Sequence, residues 1–160
     1  MMKQKGKEGM IQEIDIEADE WAEAVLLLQF RSYAVEARLI GFLDLPPLQD
    51  TVATLQQCGE RFFGYMKREQ LAGAISYERI EKTVQICRLM VDPDFFRQGI
   101  ASALIEFVCH KEQNASEIIV TTGSTNMPAL RLYQRHGFHE VEQMRMPEGI
   151  FLTKLVKRLA

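Results

Sequence analysis

The chain has 160 residues, of which 47% are hydrophobic and 26% charged, a composition typical of globular proteins and not of disordered ones. Its net charge of −3 argues against nucleic acid as the main partner. The sequence contains no run of about 18 apolar residues, so we expect no membrane-spanning helix.

The N-terminal part predicts a tail followed by a strand and a helix. Residues 1–9 are lysine-rich without a following apolar stretch, and we predict a disordered tail there and a single domain over residues 10–160. Met10–Ile16 alternates apolar and polar residues, which predicts a strand. Asp19 then predicts a helix N-cap, and the helix has an apolar side made of Trp21, Ala24, Val25 and Leu28.

Further short elements are predicted before the chain changes period. A second helical stretch is predicted at Val35–Ile40, ending near Gly41, and Leu45–Pro47 predicts an extended or turn segment. Thr51–Cys58 predicts another short helix.

The middle of the chain predicts an antiparallel meander. Phe62–Lys67, Leu71–Ile80 and Thr83–Val91 are strand-like, and the polar segments Arg68–Gln70 and Glu81–Lys82 separate them. Three consecutive strands with tight turns pair as neighbours in one sheet.

The segment after the third of these strands predicts an anion site. Pro93 stops the strand because it has no N–H to donate, and apolar spacing predicts a helix over Ala101–Gln113. Gly99 lies where the turn becomes the helix, and its missing side chain lets an anion approach the unpaired N–H groups of the first helical turn. We therefore expect a phosphate-bearing ligand.

The C-terminal third predicts a parallel strand, a helix and a hairpin. Glu117–Thr122 is an apolar run typical of a buried strand, which would pair in parallel with Thr83–Val91 through a right-handed crossover. A helix is predicted from an N-cap at Asn126 to a left-handed residue at Gly137. Phe138–Arg145 and Ile150–Val156, joined at Pro147–Gly149, predict the closing hairpin. The predicted fold is a mixed α/β sheet with the order β-α-α-β-β-β-α-β-α-β-β.

Two blocks of this sequence resemble the GNAT N-acetyltransferase superfamily. The first is the turn RQGIA between a strand and an amphipathic helix, and the second is the pattern N-x-x-A-x-x-L-Y-x-x-x-G-F that starts at Asn126. The resemblance covers Phe62 to Val156 and implies the GNAT-like acyl-CoA N-acyltransferase fold, a mostly antiparallel sheet with one splayed parallel pair. One departure is Phe96, which stands where the family usually has a basic or amide residue, with Arg97 one place late.

The resemblance implies acetyl-CoA as co-substrate, without a metal. The pantetheine arm would lie along the strand edge and the pyrophosphate on the turn, with Asn126 towards the pantetheine or the substrate and Ala129 allowing close passage. The implied cofactor-binding residues are Leu89, Met90, Val91, Arg97, Gln98, Gly99, Ile100, Ala101, Ser102, Asn126, Ala129 and Tyr133.

The implied reaction is attack of a neutral amine on a thioester. Tyr133 occupies the family position of the proton donor to the leaving thiolate, and a strand N–H near Met90 or Val91 would stabilise the oxyanion. Glu78 is our expected catalytic base, with Glu36, Asp44 or a water molecule left open as alternatives.

The cysteines and histidines indicate no further chemistry. Cys58, Cys87 and Cys109 are odd in number and lack zinc-ligand spacing, as expected of reduced thiols in a cytoplasmic protein, and Cys87 is only weakly supported as a nucleophile. The three histidines also lack ligand spacing and are expected at the surface: His110, His136 and His139.

The sequence therefore predicts an acyl-CoA-dependent N-acyltransferase acting on a small-molecule or peptide amine, with no nucleic-acid or membrane partner. A homodimer through the final strands is possible. The alternative is a catalytically weak or inactive CoA-binding regulatory or interaction module on the same fold. A nucleotide-binding P-loop protein is a distant third, because the motif GxxxxGK[ST] is absent.

Overall fold

The computed structural model describes residues 2–3, 9–40 and 49–159. Within these residues the α-helices are α1 Asp19–Ile40, α2 Val52–Gln56, α3 Ile100–Lys111 and α4 Met127–Arg135, and Pro93–Phe95 forms one 3-10 turn. The strands are β1 Met2–Lys3, β2 Gly9–Ile14, β3 Arg61–Lys67, β4 Gln70–Ile80, β5 Thr83–Val91, β6 Glu117–Gly123, β7 His139–Arg145 and β8 Phe151–Arg158.

These strands form one sheet in the order β1-β2-β3-β4-β5-β6-β8-β7. Every neighbouring pair is antiparallel except β5 and β6, which are parallel. The mixed α/β fold, its element order from β2 onward and the parallel pair are as predicted, and they confirm the expected fold class.

The first strand was not predicted. Where we expected a disordered tail over residues 1–9, Met2 pairs with Ile11 and Lys3 with Met10, and β2 already begins at Gly9. Without β1, the outer edge of β2 would expose unpaired backbone groups, and such edges favour the addition of a further strand. The remaining residues of the predicted tail, 1 and 4–8, lie outside the described residues.

Helix α1 is continuous over 22 residues, so the two separate helical stretches we predicted there form one helix. No glycine or proline interrupts Asp19–Ile40, and nothing in the sequence therefore breaks the helix. Asp19 is its first residue and not its cap. The predicted helix end near Gly41 and the turn at Leu45–Pro47 lie outside the described residues. The short helix predicted next is α2, capped by Thr51 through a capping box.

Two apolar cores cover the two faces of the sheet. On one face, α3 contributes Ile100, Leu104, Ile105 and Val108 to a buried cluster that also includes residues of α4. On the other face, Val25 and Leu28 of α1 and Leu55 of α2 pack on Phe62 and Met90. Burial of this apolar surface holds the helices on the sheet.

A bulge in β5 separates the parallel strands. Ser76 pairs with Arg88 and Tyr77 with Ile86, which leaves Cys87 as the extra residue of β5 against β4. The parallel pairing with β6 runs only over Thr83–Gln85 and stops before this residue. Because a bulge bends the strand that carries it, β5 and β6 diverge beyond Cys87.

Candidate functional site

A cavity of about 600 Å³ opens where β5 and β6 diverge. Residues of α1, β5, β6 and α4 form its walls, together with the turn before α3, the first turn of α3 and Leu152 of β8. The strand divergence therefore creates a space that two helices and the turn enclose.

Most of the predicted site residues line this cavity. They are Leu89, Val91, Arg97, Ala101, Asn126, Ala129 and Tyr133. Phe96, the residue that departs from the family pattern, lines it as well and is 44% exposed. The two sequence blocks, which are separated along the chain, therefore meet in one space.

Two other predicted residues turn their side chains away. Met90 is 1% exposed in the core under α1, and Ile100 is 2% exposed in the core under α3. Successive side chains of a strand point to opposite faces, so Met90 lies on the other face from Leu89 and Val91. Only the backbone of Met90 and Ile100 is therefore available to a ligand.

The turn before α3 has the geometry of an anion site. Arg97 and Gly99 both have positive φ, of 63° and 78°, and a side chain at Gly99 would point into open space. The carbonyl of Gly99 accepts the bond from Ala103 N, at 3.0 Å. The N–H groups of Ile100–Ser102 therefore belong to the first helical turn, which has no acceptors within the helix. Together with the positive end of the helix dipole, they favour an anion.

The polar side chains of this turn are engaged elsewhere. Gln98 Oε1 accepts a hydrogen bond from Lys67 Nζ. Ser102 Oγ lies 2.9 Å from His136 Nε2. Burial lowers the pKa of His136. We expected this residue at the surface, but it is partly buried. Neither Gln98 nor Ser102 lines the cavity, so their contribution to an anion site is through the backbone.

The N–H groups of Leu89 and Val91 point to the cavity side of β5. Leu89 N donates to Tyr33 Oη at 3.0 Å, and Val91 N donates to Ser32 Oγ at 3.2 Å. Asp92 N instead donates to Ala72 O of β4, at 2.8 Å. Because N–H directions alternate along a strand, Met90 N–H points towards β4 with that of Asp92. Of the two oxyanion donors we considered, only Val91 N–H is directed towards the cavity.

Tyr133 lies deep in the cavity wall. It is 5% exposed and packs edge-on against Phe138, with ring centroids 5.4 Å apart. Burial raises the pKa of Tyr133 strongly, and the neighbouring Tyr33 and Glu36 raise it further. The hydroxyl is therefore protonated at neutral pH and can donate a hydrogen bond.

The structure favours a different carboxylate from the one we expected as the base. Glu78 is exposed and does not line the cavity, because it pairs with Gln85 at the end of the sheet where β5 and β6 are still joined. Glu36 of α1 lines the cavity, and burial raises its pKa to about 7. Asp44, the other alternative, lies outside the described residues. Glu36 therefore replaces Glu78 as the candidate base.

A buried ion-pair network supports the wall beside Glu36. Arg88 Nε lies 2.9 Å from Glu60, and its Nη1 lies 2.5 Å from Asp50 and 2.8 Å from Gln29 Oε1. Arg88 could not be identified from the sequence because its partners come from separate segments of the chain. The only signal in the sequence was that Arg88 lies among strand residues, because a charged side chain buried in a sheet needs partners of opposite charge.

Cys87 is not an activated nucleophile. Burial, with the nearby carboxylates of Glu60 and Glu78, raises the pKa of Cys87 to about 12. The thiol is therefore neutral at physiological pH, whereas the nucleophilic form is the thiolate. One atom from each of these three residues lies within 4.8 Å of the others, but Glu60 already binds Arg88 and Ser76.

The helices of the described segments include none that is long and apolar enough to cross a membrane.

Sequence comparison finds one family model and several relatives. The model described as "Acetyltransferase (GNAT) domain" matches residues 34–159. UPF0157 protein YqkA of Bacillus subtilis (strain 168) is 41% identical over 132 residues, which are 82% of this chain and 38% of that protein. Human N-acetyltransferase 8 is 33% identical over 101 residues, covering 58% of this chain and 44% of that protein. The chain thus spans less than half the length of either relative.

Structural comparison finds the same fold in solved acetyltransferases. The ribosomal-protein-S18-alanine N-acetyltransferase from Escherichia coli superposes with a TM-score of 0.78 at 16% identity, covering 95% of this chain and 94% of that chain. The PaiA N-acetyltransferase from Thermoplasma acidophilum, solved in complex with coenzyme A, superposes with a TM-score of 0.68 at 16% identity. This match covers 94% of this chain and 98% of that chain. At these identities the likeness concerns the fold.

Proposed function

Because this chain belongs to the GNAT acetyltransferase family, we propose that it is an acyl-CoA-dependent N-acyltransferase that transfers acetyl from acetyl-CoA to an amine. One observation carries the proposal. The cavity between the diverging strands brings a candidate base, Glu36, and a candidate donor, Tyr133, to the same strand edge. The anion site at Gly99 lies in the turn that leads from this strand to α3.

The site fits an acyl-CoA on three physical grounds. The backbone N–H groups from Arg97 to Ser102 would hold the pyrophosphate, because they open the first turn of α3 and Gly99 has no side chain there. The edge of β5 at Leu89 and Val91 would hold the extended arm by backbone hydrogen bonds. Asn126 accepts from Ala129 N at 3.3 Å, which leaves its amide N–H₂ for the ligand. The cavity is roomy enough for the thioester end.

The proposed chemistry is direct transfer. Glu36 removes a proton from the amine, whose nitrogen forms a bond to the acyl carbon while the carbon–sulfur bond breaks. Val91 N–H is the edge group that bonds the acyl carbonyl of the arm and stabilises the charge on its oxygen, while Leu89 N–H holds the rest of the arm. Tyr133 donates its proton to the leaving thiolate and recovers one from Glu36. The proton lost by the amine thus ends on sulfur, and no other reactant is needed.

The pKa values agree with this direction of proton flow. With a pKa raised to about 7 by burial, Glu36 is partly ionised at neutral pH and can act as a base. Once protonated it is a stronger acid than a thiol, whose ordinary pKa is about 8.5. Transfer from Glu36 to the thiolate through Tyr133 is therefore favourable, although Tyr133 by itself is a weak acid.

The acceptor is proposed only as a class. Human N-acetyltransferase 8, the S18-alanine enzyme and one chain of the NatC complex bound to Gag peptide and CoA are similar to this chain. We take from them a small-molecule or peptide amine as the acceptor. The proposal includes a cytoplasmic location, no metal, no nucleic-acid or membrane partner and a homodimer through β7 and β8.

Thiol release from acetyl-CoA tests the activity. The purified protein is incubated with acetyl-CoA and a panel of polyamines, aminoglycosides, amino acids and peptides with free N-termini. We expect release of CoA thiol with at least one acceptor class, together with a higher melting temperature in acetyl-CoA. Stabilisation by CoA with no turnover across the panel would refute the enzyme and support the CoA-binding regulatory module, which Phe96 at the turn favours.

A further inference from the structure

Three consecutive residues of α1 hold the end of β5. Arg31 Nη2 lies 2.9 Å from Asp92 Oδ1, next to the bonds that Ser32 and Tyr33 accept from Val91 N and Leu89 N. We call Arg31, Ser32 and Tyr33 the α1 clamp. All three contacts fall on Leu89–Asp92, beyond the bulge, where β5 no longer has β6 as a neighbour.

The α1 clamp uses the same backbone groups that an extended acyl-CoA arm needs. An arm that adds to a strand edge bonds to N–H groups two residues apart, which here are those of Leu89 and Val91. Each of these groups has one hydrogen, already directed at a hydroxyl oxygen. A carbonyl of the arm and a hydroxyl of the clamp therefore compete for each hydrogen.

We propose that the α1 clamp is a gate: it closes the arm site of the free protein and is released when acyl-CoA binds. This inference rests on the proposed function, since it assumes that the arm lies along β5. The hydroxyls of Ser32 and Tyr33 accept the bonds that carbonyl groups of the arm would accept. They keep the two N–H groups paired, which would otherwise be costly inside a largely apolar cavity.

The contacts of the α1 clamp are of a kind that can be exchanged. Both hydrogen bonds are between neutral groups, and replacing them by bonds to an amide carbonyl changes little free energy. The ion pair is half exposed, with 42% of the Arg31 side chain accessible, so its loss changes the closure by no more than severalfold. Burial raises the pKa of Tyr33, which keeps it neutral in the closed state.

Release of the α1 clamp also affects the candidate base. Glu36 lies three residues after Tyr33, on the same side of α1, and both line the cavity. A movement of α1 that frees Leu89 and Val91 therefore also moves Glu36. The final arrangement of the base then forms only after the cofactor is bound, so the amine binds second.

Removing the two hydroxyls tests the gate. The variant is Ser32→Ala with Tyr33→Phe, and the control is Ser116→Ala with Tyr65→Phe, which removes the same groups at positions that do not line the cavity. Isothermal titration with CoA measures the dissociation constant, and thermal unfolding shows that each variant is folded. We expect CoA to bind about tenfold more tightly to the clamp variant, because the closed state loses both hydrogen bonds, and we expect the control to match the wild type.

The direction in which the dissociation constant of CoA changes in the clamp variant decides the outcome. Unchanged or weaker binding of CoA to the clamp variant would overturn the gate, because the hydroxyls would then be bystanders or part of the arm site. If the clamp variant does not fold, Arg31→Gln replaces it. This change weakens the same closure at the surface and should speed CoA association in stopped-flow mixing severalfold; an unchanged rate overturns the gate. Wild-type protein that binds no CoA would overturn the proposed function as well.

Discussion

Glu36→Gln separates a catalytic base from a merely buried carboxyl. Burial raises the pKa of Glu36 from 4.5 to about 7, and we expect turnover to rise through this pKa and level off above it. A positioned base contributes roughly 10²–10⁴-fold. The glutamine variant should therefore lose at least about 100-fold in kcat at pH 8 and lose the pH dependence below 7.

The same substitution should change stability in a pH-dependent way. The folded-state pKa of Glu36 is above its unfolded value, so the unfolded chain releases this proton first. The free energy of unfolding then falls as the pH rises from 4.5 to 7. The difference corresponds to an upper limit of about 3 kcal/mol. Glu36→Gln removes this cost and should be more stable than the wild type at pH 8, but not at pH 5.

Two measurements check this reasoning. Chemical unfolding at pH 5 and pH 8 gives the difference in free energy of unfolding between the variant and the wild type. Thiol release between pH 5.5 and 9 gives the pH dependence of turnover. Glu23→Gln, an exposed change on the same helix, is the control and should alter neither. If turnover of Glu36→Gln still rises with pH, the titrating group is the amine itself, and Glu36 is not the base. A stability change that is equal at both pH values would refute the raised pKa.

Three further changes test other parts of the site. Tyr133→Phe should lower kcat by at least tenfold while leaving the dissociation constant for CoA unchanged; equal turnover would remove Tyr133 from the mechanism. Gly99→Val should weaken CoA binding at least tenfold by filling the anion site, whereas Gly149→Val, with a similar φ of 89° and equally open surroundings, should leave it unchanged. Equal losses would assign the effect to backbone strain. Arg88→Met should lower the free energy of unfolding by about 3–5 kcal/mol in urea, because it leaves buried carboxylates unpaired, whereas Arg61→Gln in an exposed pair should cost less than about 1 kcal/mol. Similar costs would contradict the burial of the network.

The parts of the fold that sequence predicted are those that depend on short-range patterns. The end of β5, Gly99 and the start of α3 follow from a proline, a glycine and helical spacing within some twenty residues. The N-cap at Asn126 and the left-handed Gly137, with φ of 90°, were predicted for the same reason. Each of these features depends on the backbone preference of one residue type, which can be read directly from the sequence.

The parts that sequence did not predict depend on contacts between distant segments. Ser32 and Val91 are 59 positions apart, and Arg88 and Gln29 also 59, so no local pattern indicates either pair. Glu78 was expected to be the base from its place on a central strand, but strand alternation gives the face of a residue and not its distance from the bulge. The choice between Glu36 and Glu78 required knowing where β5 leaves β6.

The bulge at Cys87 explains why the site and the gate occupy one place. Beyond it, β5 has lost its parallel neighbour, and the N–H groups of Leu89 and Val91 need acceptors from elsewhere. Hydroxyls of α1 supply them, and α1 is also the helix that carries Glu36. The proposed acyl-CoA arm would satisfy the same two N–H groups, which makes cofactor and helix alternatives on one edge. A single strand irregularity thus links the opening of the arm site to the position of the candidate base.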